Sequence, residues 1–180
     1  MEFKPIKSET VFQGRAFEVR QDQVQLPDGR QITLDIVDHR DAVTLLPVDG
    51  EGYLWFIRQY RHPAEQILLE LPAGVMEAGE PAEESARREL REETGMDAGE
   101  LRKLGSFYLA PGYSTECMHV FLASQLLHSP LPGDADEFLS IERIPVQEAF
   151  RMAENGQIRD AKSLGALLLA RPHLSKYFEK

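Results

Sequence analysis

The chain of 180 residues contains a single cysteine, Cys117, so it cannot form an internal disulfide bond. This usage is typical of proteins in a reducing compartment, and we expect a cytoplasmic protein. No stretch approaches about 18 consecutive apolar residues, and the first residues, MEFKPIKSETVF, lack the apolar run of a secretory leader. We therefore expect neither a membrane span nor a membrane partner.

Basic residues are also in deficit. There are 20 lysines and arginines against 30 aspartates and glutamates, which gives a formal net charge of −10. Such a charge disfavours binding to a nucleic-acid backbone or to an anionic membrane. It does not exclude a nucleotide, because bound cations and a few arginines can reverse the field within one cleft. With 42% hydrophobic residues, the chain can form one globular domain with room for a small appendage.

One segment, Pro81 to Thr94, has the pattern of a helix. Proline suits the first helical position, and Gly95 suits the left-handed residue that ends a helix. The residues between them are mostly strong helix formers. Ala82, Ala86 and Leu90 recur every fourth residue and form a narrow apolar stripe. We therefore predict about four turns of helix packed closely against a sheet.

The same helix carries three carboxylates within one turn. Glu89 and Glu93 are four residues apart and project from one face, with Glu92 beside them. Their mutual repulsion would raise their pKa values unless a cation lay between them. A hard divalent ion resolves this conflict, and Mg²⁺ is the usual ion where phosphates complete the shell. The alternative is a solvated helix with ion pairs such as Glu84 with Arg88, each worth about 0.2–0.5 kcal/mol.

The wider pattern decides between these interpretations. Nine positions follow the spacing G-x5-E-x7-R-E-U-x-E-E-x-G-U, where U is aliphatic: Gly74, Glu80, Arg88, Glu89, Leu90, Glu92, Glu93, Gly95 and Met96. This segment resembles the signature of the Nudix hydrolases at every specified position, and chance rarely produces such a match. The resemblance implies an α/β (α+β) fold, in which a mixed sheet flanked by helices forms a Nudix α/β/α sandwich. Its loop–helix–loop would hold metal ions against a pyrophosphate.

The resemblance also implies roles for individual residues. The implied metal ligands are Glu89, Glu93, Glu92 and the backbone carbonyl of Ala73. Glu92 would be a further or water-mediated ligand, and it would share a catalytic role with Glu93 through the metal. Arg88 and Glu80 would form an internal ion pair that shapes the loop beginning at Gly74. These last three residues are therefore expected to be structural support.

The N-terminal region has the pattern of two or three antiparallel strands. Ala16–Arg20, Val24–Leu26 and Ile32–Val37 alternate apolar with polar residues around a turn at Pro27–Gly29. Such a hairpin cannot bury itself, so it packs either on its own catalytic domain or on a second copy of the chain. Nudix enzymes for ADP-ribose commonly exchange such an N-terminal antiparallel β-sheet extension within a homodimer. We therefore divide the chain into a dimerisation subdomain, 1–40, and a catalytic domain, 41–180.

Two near-continuous apolar runs, Ala42–Leu46 and Tyr53–Ile57, predict central strands that are covered on both faces. The segment Arg58–Arg61 follows them. Its arginines form either a solvated rim or a phosphate site, in which the planar fork of Arg61 binds two oxygens. RQYR followed by LELPAG resembles the ADP-ribose pyrophosphatase subgroup, whose arginine at this point contacts the nucleotide.

The loop APGYSTE follows a predicted strand, Lys103–Leu109, and is either a connection or part of a substrate site. Pro111 lies sixteen residues beyond the last glycine of the motif, a spacing that resembles the same subgroup. Glu116 resembles the glutamate that this subgroup uses on the terminal ribose. The adenine would then lie on an aromatic face, either Phe17 or Tyr60.

The polar loop His128–Phe138 is either a surface turn or the carrier of a general base, which must approach the substrate when the loop closes. In the ADP-ribose enzymes, a glutamate on this loop often activates the attacking water. Glu137 aligns best with it, and Asp136 is the alternative. Two amphipathic helices, near Val146–Asn155 and Ala161–Ala170, complete the predicted fold.

The resemblance implies hydrolysis of ADP-ribose to AMP and ribose 5-phosphate with Mg²⁺, for which Mn²⁺ could substitute. Divalent ions would lower the pKa of a bound water, and Glu137 would accept its proton. Hydrolysis of other nucleoside diphosphate sugars, such as GDP-mannose, would use the same metal site. Enzymes for nucleoside triphosphates or dinucleoside polyphosphates fit Pro111 and the N-terminal hairpin less well. A non-catalytic module that senses a nucleotide tends to lose the carboxylates of the motif, and this chain keeps them all.

Overall fold

The computed structural model describes residues 2–133 and 137–178. Within these residues there are ten strands, three helices and two short 3₁₀ segments, His62–Ala64 and Arg171–Tyr177. The strands are β1 Lys4–Gln13, β2 Glu18–Gln25, β3 Gln31–Asp38, β4 Ala42–Pro47, β5 Tyr53–Arg61, β6 Gln66–Glu70, β7 Ala73–Val75, β8 Met96–Tyr108, β9 Cys117–His128 and β10 Leu139–Pro145. The helices are α1 Ala82–Thr94, α2 Val146–Glu154 and α3 Ala161–Ala170.

The chain divides into two compact units. The first unit is Met1–Asp41 with Tyr108–Cys117, and the second is Ala42–Phe107 with Met118–Lys180. The division at residue 40 that the sequence suggested stays a prediction. In the first unit, β1, β2 and β3 form an antiparallel sheet in that order.

The strand β2 corrects one expectation from the sequence, which placed two short strands where the structure has one. The polar residues between those two segments continue the pairing, because Gln21 lies opposite Asp35 and its Nε2 donates to that carboxylate at 3.0 Å. Asp22 accepts a hydrogen bond from Ser8 Oγ at 2.6 Å. The sequence pattern also missed β1, Lys4–Gln13, which precedes the first segment that it assigned to a strand.

The second unit contains two sheets among its described residues. One is antiparallel, in the order β10-β5-β6. The other has the order β7-β4-β9-β8 and is mixed, because β4 pairs antiparallel with β7 and parallel with β9. The expectation of a mixed sheet is therefore confirmed.

The side chains of β4 explain why its sequence is apolar throughout. Val43 and Leu45 are fully buried in one cluster with Leu90 of α1. Leu46 is fully buried in a second cluster with Leu167 of α3. Because alternate residues of a strand face opposite sides, β4 has helices packed on both faces, as the α/β/α sandwich requires. Burial of each of these leucine side chains stabilises the fold by about 1.5–3 kcal/mol.

The ends of α1 follow from its sequence. Pro81 is the residue before the helix, with an extended backbone, so the helix begins one residue later than predicted. Gly95 ends it in the left-handed region at φ 73°, as predicted, and its N–H donates to the Arg91 carbonyl at 3.1 Å. In the described part of the chain, no helix has both the length and the apolar character to cross a membrane.

Candidate active site

The face of α1 that meets the sheet carries two buried carboxylates. Glu89 is 8% exposed and Glu93 is 3% exposed, because both lie one helical turn apart beside the apolar stripe of the helix. Burial raises the pKa of Glu89 to about 7, and the charge of Glu92 adds to this effect. Burial raises the pKa of Glu93 to about 8, and the charge of Glu89 contributes further. The direction agrees with the sequence analysis, but the main cause is burial rather than mutual repulsion.

Gly74 gives the carboxylate of Glu89 the room that it occupies. A Cβ atom added to Gly74 would lie 1.9 Å from Cδ of Glu89 and 2.0 and 2.2 Å from its two oxygens. No side chain can therefore replace the glycine unless the carboxylate moves away.

Ala73 lies beside the second buried carboxylate. Its N–H donates to Oε2 of Glu93 at 2.9 Å. The preceding carbonyl, on Pro72, accepts from the N–H of Leu45 at 2.9 Å and from Oγ1 of Thr44 at 3.1 Å. The backbone around Ala73 is therefore hydrogen-bonded to both β4 and α1. The role of the Ala73 carbonyl as a metal ligand stays a prediction.

Arg88 connects the other acidic residues of the motif. Its Nε and Nη2 each donate to one oxygen of Glu80 at 3.0 Å, and this pair lowers the pKa of Glu80 to about 2. Its Nη1 donates to Glu89 at 2.6 Å and to Glu92 at 3.0 Å. Its Nη2 also donates to the carbonyl of Val75 at 3.3 Å. The Arg88 guanidinium thus connects the loop before α1 to the carboxylates of the helix, and the role of Arg88 and Glu80 as structural support stays a prediction.

The donor set on α1 fits a hard divalent cation. Two of its carboxyl groups are buried and have raised pKa values, Glu89 even with the Arg88 guanidinium beside it, so a further cation would favour their ionised forms. Glu92 offers a third carboxylate nearby. Oxygen ligands of this kind suit Mg²⁺ and similar ions. The residues that could hold such an ion are Glu89, Glu92, Glu93 and Ala73.

Glu137 follows a segment that is attached to the end of α1. The N–H of Ser129 donates to the Gly95 carbonyl at 2.9 Å, and the N–H of Leu131 donates to the Arg91 carbonyl at 3.2 Å. The negative charge of Glu137 contributes to the raised pKa values of both Glu89 and Glu93, so Glu137 lies within electrostatic reach of them. The alternative base, Asp136, lies outside the described residues.

Arg61 has a partner that the sequence analysis did not foresee. Its Nε and Nη2 donate to the two oxygens of Glu70 at 2.9 and 2.7 Å. Glu70 is 1% exposed and also accepts a hydrogen bond from Lys162. A single glutamate within the apolar run ILLEL was the available signal that Glu70 has a buried charged partner.

The remaining predicted substrate residues divide between the two units. Phe17, Pro111 and Glu116 belong to the first unit, whereas Arg61 and Tyr60 belong to the second. In the first unit, Phe17 lines a cavity of about 410 Å³ together with Arg15 and Arg40. The loop with Pro111 and Glu116 is bonded to the end of β3, where the N–H of Thr115 donates to the Val37 carbonyl at 3.0 Å.

Tyr60 is exposed, and its ring centre lies 6.3 Å from that of His62. The N–H of Glu116 donates to Oγ of Ser114 at 3.2 Å. The substrate roles of all five residues stay predictions.

The mixed sheet with helices on both faces, together with Gly74 on β7 and the buried glutamates of α1, defines a Nudix pyrophosphohydrolase. The chain belongs to the NUDIX domain family, whose sequence model matches residues 38–167. A second model, described as the nucleoside diphosphate sugar hydrolase N-terminal domain, matches residues 3–33.

Known proteins resemble the chain over most of its length. An ADP-ribose pyrophosphatase of Bacillus subtilis (strain 168) is 38% identical, covering 93% of this chain and 91% of the relative. A methanol dehydrogenase activator of Bacillus methanolicus is 34% identical, covering 92% of this chain and 91% of the relative. A crystal structure of an ADP compounds hydrolase is 29% identical with a TM-score of 0.88, covering 98% of this chain and 96% of that chain.

Proposed function

We propose that the protein hydrolyses the pyrophosphate bond of ADP-ribose to AMP and ribose 5-phosphate with Mg²⁺. The observation that carries this proposal is the pair of buried carboxyl groups, Glu89 and Glu93, within a complete Nudix motif. The name of the B. subtilis relative, an ADP-ribose pyrophosphatase, supports the choice of substrate. The single cysteine supports a reducing, cytoplasmic location.

The metal site would consist of Glu89, Glu93, Glu92 and the Ala73 carbonyl. When bound there, Mg²⁺ supplies positive charge beside the pyrophosphate and lowers the pKa of a bound water. The N–H of Ala73 fixes the orientation of Glu93, and Arg88 fixes that of Glu89 and Glu92. Glu92 and Glu93 would therefore contribute to catalysis as ligands that are already oriented before the substrate binds.

Glu137 is the proposed general base. Glu137 comes six residues after Leu131, whose N–H donates to the Arg91 carbonyl of α1, and the charge of Glu137 influences both buried carboxyl groups. A carboxylate in this position accepts the proton of the attacking water as the new phosphorus–oxygen bond forms.

Three residues and one of two aromatic rings would recognise the substrate. Arg61 binds a phosphate through its guanidinium, Glu116 binds ribose hydroxyl groups, and Pro111 shapes the loop that presents Glu116. Either Phe17 or Tyr60 stacks on the adenine, since both rings are partly exposed.

We further propose that the protein is a homodimer that exchanges its N-terminal strands. All ten residues of β1 are exposed, and they include large apolar side chains that a monomer leaves in water: Ile6, Val11 and Phe12. An exposed apolar strand of this kind usually marks an interface. Sedimentation equilibrium tests this proposal, because a monomer at micromolar concentration would contradict it.

The test of activity is phosphate release, with a coupled phosphatase, from ADP-ribose, ADP-glucose, GDP-mannose, NADH and diadenosine polyphosphates in Mg²⁺ or Mn²⁺. We expect a clear preference for ADP-ribose. A preference for GDP-mannose would retain the metal site and overturn the proposed substrate. Hydrolysis of none of them would favour a nucleotide-sensing module.

Two pairs of variants test the assigned residues. Glu93→Gln should abolish turnover, whereas Glu83→Gln, at an exposed position on the same helix, should not. Glu137→Gln should lower the rate far more than Asp136→Asn if Glu137 is the base. The reverse order would move that role to Asp136.

A further inference from the structure

A cluster of four charged residues lies in the second unit, and its two cations, Arg61 and Lys162, are within electrostatic reach of Glu93 on α1. Glu70, at the end of β6, is the centre of this cluster and is 1% exposed. It accepts two hydrogen bonds from Arg61 and one from Lys162, which is itself 7% exposed. Asp160 accepts a further hydrogen bond from Lys162 at 2.7 Å. The two acidic and two basic side chains thus balance in charge.

Burial alone would raise the pKa of Glu70. The hydrogen bonds from Arg61 and the charge and hydrogen bond of Lys162 outweigh it, so the pKa lies below its ordinary value. Glu70 is therefore a carboxylate whose charge is fully compensated by protein cations. The raised pKa of Arg61 follows mainly from the same hydrogen bonds.

The cluster also attaches β6 to the beginning of α3. Asp160 accepts from the N–H and Oγ of Ser163, at 3.1 and 2.5 Å, and so caps the helix. Oγ of Ser163 in turn accepts from the N–H of Leu71 at 2.7 Å. The neighbouring residues Glu70 and Leu71 are thus bonded to neighbouring residues of α3, which leaves the Glu70 carboxylate little freedom to move.

The pair with Glu70 leaves part of the Arg61 guanidinium available. A guanidinium carries five N–H donors in one plane, and Glu70 accepts two of them, from Nε and Nη2. The Arg61 side chain is 39% exposed, so a ligand can approach it from solvent. An arginine held in this way loses less conformational freedom on binding than one that is free in solvent.

We infer that Glu70 and Lys162 are positioning residues that hold Arg61 in the orientation in which it binds the phosphates of a nucleoside diphosphate sugar. This inference rests on the proposed function, because it assumes that Arg61 contacts the substrate. Glu70 acts through Arg61, and Lys162 acts through Glu70. Neither of them touches the substrate.

The test is a double-mutant cycle on the affinity for ADP-ribose, measured by calorimetry on metal-free protein so that turnover does not contribute. We expect Arg61→Ala to weaken binding about 10–100-fold, which is the range for hydrogen bonds to a charged group. Glu70→Gln should weaken it about tenfold while Arg61 is present. Because Glu70 acts through Arg61, the double variant should bind no more weakly than Arg61→Ala alone.

Glu142→Gln is the matched control. Glu142 pairs with Arg58, an arginine of the same strand as Arg61, and its removal should leave the affinity unchanged. Lys162→Met should lower the affinity in the same direction as Glu70→Gln, and Lys162→Arg should restore most of it. If Glu70→Gln does not fold by circular dichroism, the variant Glu70→Gln/Lys162→Met removes both charges together and takes its place.

Two outcomes would overturn the inference. The first is additive losses, in which Glu70→Gln weakens binding equally with and without Arg61. The second is an unchanged affinity in a folded Glu70→Gln variant. Failure of the metal-free wild-type protein to bind ADP-ribose would also overturn the inference, because Arg61 would then not hold the phosphates. The proposed function is tested separately, by phosphate release with Mg²⁺.

Discussion

The buried carboxyl groups of α1 predict an unusual dependence of stability on pH and metal. Burial raises the pKa of Glu93 from an ordinary value of 4.5 to about 8. The metal-free folded state therefore binds this proton more tightly than the unfolded state does. The resulting stabilisation is fully present below pH 4.5 and is lost as the pH rises through about 8. Ionised Glu93 thus opposes folding unless a cation binds beside it.

The magnitude follows from the difference between the two pKa values. Each pKa unit corresponds to about 1.36 kcal/mol. Ionising Glu93 therefore lowers the free energy of unfolding of the metal-free protein by on the order of 4–5 kcal/mol. Ionising Glu89 also destabilises the metal-free protein, because its pKa is raised too. The two carboxyl groups repel each other when both are ionised, so the two free energies cannot simply be summed. For a protein of this size, a change of this order corresponds to about 10–20 °C in the melting temperature.

The assay is thermal unfolding between pH 5.5 and 8.5, with EDTA or with Mg²⁺. We expect the metal-free protein to lose stability as the pH rises and Mg²⁺ to restore it most at the highest pH, since the ion binds ionised carboxylates. Glu93→Gln should flatten the metal-free profile, while Glu83→Gln should keep the wild-type profile. The reasoning is refuted if the wild-type and Glu93→Gln profiles have the same slope.

Three further predictions concern the residues around α1. Gly74→Ala should weaken Mg²⁺ binding at least about tenfold by calorimetry, because its Cβ displaces the Glu89 carboxylate; an unchanged affinity would show that the carboxylate is not a ligand. Glu80→Gln should destabilise the protein by about 1–3 kcal/mol at pH 7, because it breaks the pair with Arg88. The difference in free energy of unfolding between wild type and Glu80→Gln should shrink as the pH falls from 4.5 towards 2, because wild-type Glu80 then also loses its charge. A difference that stays constant over this range would argue against the ion pair. Glu137→Gln should lower kcat about 10²–10⁴-fold with Mg²⁺ affinity preserved, as expected for loss of a general base, and equal losses in both would instead indicate a metal ligand.

The features that could be predicted are those determined by residues close together in the sequence. The ends of α1 depend on Pro81 and Gly95, and its buried stripe depends on spacing along the same helix, so both could be predicted to within one residue. The mixed sheet could be expected because of the family resemblance. The mutual closeness of Glu89 and Glu93 could be predicted because four residues bring side chains to one face.

The features that escaped prediction depend on contacts between distant residues. Glu70 and Lys162 are 92 residues apart, and no local pattern pairs them. Strand β2 was divided in two because its centre is polar, although those residues pair with partners on β1 and β3. The loop Tyr108–Cys117 clusters with the N-terminal strands through backbone hydrogen bonds to Val37, which sequence spacing could not indicate.

The contrast between Glu70 and Glu93 separates two uses of a buried carboxylate. Both are nearly inaccessible to water, but the pKa of Glu70 is lowered whereas that of Glu93 is raised. The difference lies in hydrogen bonds from cations, because the charge of Lys162 also acts on Glu93 but burial of Glu93 outweighs it. Arg61 and Lys162 both bond to Glu70, whereas the hydrogen bond described for Glu93 comes from the N–H of Ala73. A carboxylate that is hydrogen-bonded to protein cations is suited to holding those cations in place. A buried carboxylate with a raised pKa is suited to binding an added cation, because the cation stabilises its ionised form. Glu70 is therefore suited to positioning Arg61, and Glu93 to binding the metal.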